Sequence, residues 1–73
     1  MRPLAIDPKI TEEFLMTQEG VVDASVWLDD GHFRAHATVH EGGASEQQLL
    51  RACVTVIGQR FTPEAIEILR PQG

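Results

Sequence analysis

The 73-residue sequence holds a single cysteine, Cys53, so it cannot close an intramolecular disulfide and does not read as a small secreted domain stapled by such bonds. It is also short of positive charge. Six basic against eleven acidic residues leave a net charge of −5 at neutral pH, the wrong sign for a nucleic-acid or anionic-membrane surface. The six (Arg2, Lys9, Arg34, Arg51, Arg60 and Arg70) are scattered rather than clustered. No apolar run approaches the roughly 20 residues of a membrane span, and the N-terminus lacks the basic-then-apolar pattern of a signal peptide. Repeats, low-complexity tracts and interdomain linkers are missing as well. These absences lead to the expectation of one cytoplasmic domain over residues 1–73, with a core near the lower limit for stability without disulfide or metal.

What is present is organised around residues 21–40. Two alternating runs flank Asp30-Gly31, a dipeptide suited to a type I′ turn because that turn needs positive φ at both central residues. With Asp30 and Gly31 at the tip, Asp29 faces His32, Leu28 faces Phe33 and Trp27 faces Arg34. Val26 then meets Ala35, Ser25 meets His36, Ala24 meets Ala37, Asp23 meets Thr38 and Val22 meets Val39. Every second pair is apolar, so a one-residue slip would set a polar residue against each apolar one. Leu28, Val26, Ala24, Val22, Phe33, Ala35, Ala37 and Val39 are therefore expected on one covered face.

The flanking segments supply the cover. Residues 2–6 form a lead-in whose Leu4 and Ile6 alternate as in a short edge strand. Asp7-Pro8 opens a helix, with Asp7 as N-cap and Pro8 at the first helical position. Ile10, Phe14 and Leu15 are its expected buried stripe, and Gly20 its stop. After the flexible Glu41-Gly42-Gly43-Ala44 connection, Ser45-Glu46-Gln47-Gln48 has capping-box spacing and begins a second helix. Leu49, Leu50, Cys53, Val54 and Ile57 share one broad side of it. Gly58 to Phe61 end it, Thr62-Pro63 turn the chain, and residues 65–69 form a strand whose Ile66 and Ile68 join the core. The order is α-β-β-α-β. A crossover between the second and third strands makes them parallel, and a single apolar sheet face requires both helices to pack on it. The expected fold is an α+β two-layer sandwich, a three-stranded mixed sheet with two helices on one face.

On these residues the chain resembles the C-terminal subdomain of adenylate-forming enzymes, the family of acyl-CoA synthetases and peptide-synthetase adenylation domains. The resemblance is carried by Ile6-Asp7-Pro8, the helix with Glu12-Glu13-Phe14-Leu15, and Gly20-Val21-Val22-Asp23-Ala24-Ser25-Val26. It continues through Phe33-Arg34-Ala35-His36-Ala37-Thr38-Val39, residues 45–49 and Pro63-Glu64-Ala65-Ile66-Glu67-Ile68-Leu69. In that family a catalytic lysine follows the last strand. Here Arg70-Pro71-Gln72-Gly73 stands in its place, and the sole lysine is Lys9. The resemblance thus implies a free-standing relative of the mobile lid, without its catalytic lysine and without the large nucleotide-binding domain. A second resemblance is to the cytoplasmic domain of cation diffusion facilitators, which implies a small metal-responsive domain. His36 falls near a metal-ligand histidine of that family, whereas the helix histidine is replaced by Leu or Arg and the last strand has none.

No residues form a catalytic constellation. His32, His36 and His40 recur every four residues, but on a strand four residues span roughly 13 Å, too far for one tetrahedral ion. Solvated strand histidines are the plainer reading; His36 and His40 with Asp23 would make at best an adventitious site. Cys53 shares a helix side with Leu49, Leu50 and Ile57, which suits an inert buried thiol. Asp29 and Asp30 shape a turn and Glu19 ends a helix, so they are no catalytic pair. Gly42-Gly43 lacks the Lys-Ser/Thr of a phosphate loop.

Trp27 is the informative residue. The alternation that buries Val26 and Leu28 turns it onto the uncovered face over Arg34, with His36, Val21 and Leu69 nearby. Either it is a cation–π pair on an ordinary surface, or it is an interface centre. The expectation is a non-catalytic protein-interaction or regulatory module with no cofactor and no metal site. Its binding surface is Val21, Trp27, Arg34 and His36, engaging a protein partner or a second copy through the open sheet face. The alternative is the metal-responsive domain.

Overall fold

The computed structural model describes residues 7–71. The lead-in with Leu4 and Ile6 lies outside them. The first helix, α1 (Pro8–Met16), begins as its sequence dictates: the Lys9 N–H donates to Asp7 Oδ1 at 2.9 Å, and Pro8 occupies the first turn, where no N–H is needed. It stops at a Thr17 cap rather than at Gly20. Gly20, at φ +83°, instead shapes the turn into the sheet, and its Cα lies so close to Gly43 that a Cβ there would meet the Gly43 Cα at 2.9 Å.

The hairpin follows: β1 (Val21–Asp29) and β2 (His32–Val39) are antiparallel around Asp30 (φ 52°) and Gly31 (φ 81°), both in the left-handed region a type I′ turn demands. From Asp29↔His32 to Asp23↔Thr38 the register is the one expected. At the base it is not. Val39 pairs with Val21 instead of Val22, and the extra residue forms a bulge. The chain enters β1 from Gly20, whose C=O accepts from the His40 N–H at 2.9 Å. That tie brings Val21, not Val22, opposite Val39. Val21 is therefore buried in the core and leaves the open face where it was expected, whereas Val22 is 43% exposed.

The second helix, α2 (Glu46–Val56), has the full reciprocal capping box: Gln48 N–H to Ser45 Oγ, and Ser45 N–H to Gln48 Oε1. A 3₁₀ turn (Gln59–Phe61) and Pro63 lead into β3 (Ile66–Leu69), which pairs parallel with β2. The strand order is β1-β2-β3. Both helices cover one face, because Leu15 from α1 and Leu49 and Cys53 from α2 share one core cluster with Ala24, Val26, Phe33, Ala35, Ala37, Val39 and Ile66. The α+β two-layer sandwich in the order α-β-β-α-β is the observed fold.

Besides Val22, three more residues expected in the core are exposed. Leu28 is 56% exposed while Phe33 opposite it is buried: a nine-residue helix reaches only about 14 Å whereas a nine-residue strand reaches about 30 Å, so the end of β1 outruns α1. Ile10 is exposed because Thr11 takes the inward position, fully buried, with its hydroxyl donating to the Phe61 C=O at 2.6 Å. Val54 is exposed on α2 because the covered stripe is the narrower Leu49–Cys53 line, opposite a third strand of only four residues.

Candidate functional site

Parity along the ladders sends Ser25, Trp27 and Asp29 of β1, Arg34, His36 and Thr38 of β2, and Glu67 of β3 to the face without helices. Trp27, Arg34 and His36 are brought together there as the sequence suggests, and Val21 is not. The contacts differ from those expected. Trp27 stands directly opposite Arg34, but its ring packs edge-on against His36, with centroids 4.7 Å apart and planes at 70°. Arg34 turns away to Asp29, Nε to Oδ2 at 3.0 Å. Both members of that pair are more than half exposed, so it orients the guanidinium without adding much stability.

His36 extends the row to the third strand, with Nε2 3.4 Å from Glu67 Oε1. Trp27, His36 and Glu67 thus form a chain of contacts across all three strands, with Trp27 reaching His36 diagonally. A second pair, His32 Nδ1 to Glu64 Oε1 at 2.8 Å, ties the hairpin to the approach of β3. An open depression of about 460 Å³ is lined by Trp27, Arg34, His36 and Glu67 together with Glu46 and Ala65.

The sequence places Glu46 only within the capping motif of α2 and does not show its contact with β3. Glu46 sits in the first turn of α2 and accepts the Ile66 N–H at 2.9 Å through Oε2, so one carboxylate caps the start of β3 from the helix layer. Glu67 and Asp29 were also missed as partners. Asp29 is diagonal to Arg34 once the turn is set at Asp30-Gly31, so that contact follows from the hairpin register. The His36–Glu67 contact needs the parallel register of β2 and β3, which no local signal carries.

Chemically the face combines an aromatic pair with ion pairs across the strands. Ser25 stands opposite His36, with Glu67 beyond, yet the imidazole is engaged by Trp27 and Glu67 rather than by Ser25. Cys53 lies in the helix-covered core with no exposed surface, and burial pushes its thiol up to about 11, away from a nucleophilic thiolate. Among the described residues no group of three or more His, Cys, Asp or Glu converges to hold a metal ion, and no helix is long and apolar enough to cross a membrane. His40 is exposed past the end of β2, and Asp23 is engaged by the Ala24 N–H at 3.0 Å. Comparison with family models, curated proteins and solved structures returned no match for this chain.

Proposed function

We propose that this chain is a non-catalytic protein-interaction module and that its open sheet face is the surface it uses. The observation that carries the reading is Trp27: an indole 37% exposed on the β1 side of the uncovered face, held by His36 and flanked by an Arg34–Asp29 pair. Tryptophan and arginine are the side chains that most often anchor interfaces. A small domain leaves such an indole in water at a cost of about 2–3 kcal/mol by area, so covering it is a ready source of binding energy. The order of elements and the motifs from Ile6 to Leu69 support placing the module as a relative of the adenylate-forming lid subdomain, acting in the cytoplasm.

Trp27 is the one tryptophan, so its fluorescence reads the face directly. Acrylamide quenching should fall when the purified chain is concentrated from micromolar to millimolar, or when it is placed in native extract. Equal quenching under all of these conditions would remove the reading. ATP-dependent pyrophosphate exchange with carboxylic acids should be undetectable for the pure chain, and its appearance would make the protein an enzyme.

A further inference from the structure

The two edges of the sheet are treated differently. On the β3 side the strand is only four residues long, the Ile66 N–H is taken by Glu46, and Arg70 just past the strand donates back to the Val39 and His40 carbonyls. On the β1 side nine residues run along an edge with which no other strand pairs among the described residues. Asp29 and His32 close a two-residue turn as a hydrogen-bonded pair, so the antiparallel alternation turns the backbone groups of Trp27, Ser25 and Asp23 inward to β2. Those of Leu28, Val26 and Ala24 point outward. One of these is occupied, since the Ala24 N–H donates to Asp23 Oδ1 at 3.0 Å. The bulge at Val22 disrupts the same end. The stretch from Ser25 to Asp29 carries no proline, lysine or bulge to guard it.

We infer that the occupant of this edge is the β1 strand of a second copy, paired antiparallel about a two-fold axis at Trp27, to give one continuous six-stranded sheet. The inference rests on the interaction reading above and names its partner. The register follows from which groups are free. Axes at Ser25 or Val26 require the Ala24 N–H, which Asp23 already holds. An axis at Leu28 runs Val26 into the partner's turn. Only the axis at Trp27 uses Val26 and Leu28 alone, in symmetry-related pairs that each exchange both N–H···O bonds.

The side chains fit that register. Trp27 meets Trp27 of the second copy as a directly opposed, non-hydrogen-bonded pair, the closest kind. Leu28, otherwise exposed at the hairpin tip, meets Val26 of the second copy on the helix-covered side. Asp29 faces Ser25 of the second copy, a hydroxyl donor rather than a like charge. Face-to-face stacking has less to offer. Three short strands present on the order of 300–400 Å², against the roughly 800 Å² per partner of a standard stable interface. Edge pairing makes main-chain bonds that do not depend on that area, and it joins two small faces into one, with the paired indoles at its centre.

Sedimentation equilibrium over micromolar to millimolar concentration, with isotope-filtered NMR on a mixture of labelled and unlabelled chain, tests this. The expected result is a dimer with an intermolecular Hα–Hα contact from Trp27 to Trp27. Leu28→Lys places a charge at the edge, and Leu28→Pro removes an outward N–H without touching the hairpin ladder. Each should weaken the dimer by about tenfold or more. Three results would overturn the inference: a chain that stays monomeric with freely exchanging Val26 and Leu28 amides; a monomer with those amides protected, which would put residues 1–6 on the edge; or a dimer indifferent to both Leu28 variants with its contacts elsewhere. The last leaves the interaction reading standing if Trp27 is still shielded from acrylamide.

Discussion

Trp27 faces Arg34 across the β1–β2 ladder, yet its ring rests on His36, the diagonal neighbour, at a centroid distance of 4.7 Å. The indole therefore leans along the sheet toward β3 instead of stacking under the guanidinium, and Arg34 is left to Asp29. A double-mutant cycle separates the two relationships. Trp27→Ala with His36→Ala should show a coupling of about 0.5–1.5 kcal/mol in urea denaturation, the range of aromatic pairs. Trp27→Ala with Arg34→Ala should show almost none. A larger coupling to Arg34 would restore the cation–π arrangement and remove His36 from the site.

The core is narrow, and its edges can be drawn by alanine substitution. Leu49→Ala should cost about 2–5 kcal/mol, because the side chain is fully buried among helix and sheet residues. In a domain of this size that is enough to unfold much of the population. Val54→Ala, one turn on and half exposed, should change stability by no more than about 0.5 kcal/mol. Comparable losses at the two positions would mean that the covered stripe of α2 is as wide as its hydrophobic side.

These contrasts mark where the sequence was readable. The hairpin turn with its register from Asp29↔His32 to Asp23↔Thr38, the Asp7 and Ser45 caps and the α-β-β-α-β order rest on local signals, and they appear as read. Val21 and Val22 are adjacent and equally apolar, so the choice between them was made elsewhere, by the Gly20 carbonyl bonding His40 and by the close approach of Gly20 to Gly43. Leu28 has flawless strand alternation; its exposure follows from the relative lengths of helix and hairpin. Thr11 was invisible as core because its hydroxyl is satisfied by Phe61, fifty residues along the chain. Of the site, Trp27, Arg34 and His36 were legible through hairpin parity alone, and Glu67 and Glu46 required the packing of β3.

Glu46 links the layers through one bond, and its loss can be read by chemistry-matched substitutions. Glu46→Ala leaves the Ile66 N–H without its acceptor and should cost about 1–3 kcal/mol. Glu46→Gln keeps an acceptor oxygen and gives up only the favourable charge in the first turn of α2, about 0.3–1 kcal/mol. Amide exchange at Ile66 should quicken in the alanine variant and stay slow in the glutamine one. Equal exchange in the two would show that another group satisfies the strand start.

Cys53 sets a pH dependence with a definite sign. Burial raises the native thiol from 9.0 to about 11, so the unfolded chain loses its proton first as pH rises. Between those values the unfolded state binds fewer protons than the native one, and stability must fall with increasing pH. The slope approaches about 1.4 kcal/mol per pH unit from this one group, fully absent below pH 8 and exhausted above the native value. Cys53→Ala should abolish that alkaline loss, at the expense of a lower starting stability from the vacated core volume. Alkylation gives an independent reading of the same burial: iodoacetamide should modify the native protein only through unfolding, at a rate that rises with urea. Rapid modification in native buffer, together with an unchanged alkaline slope in Cys53→Ala, would place the thiol at the surface and take it out of the core that α2 builds over the sheet.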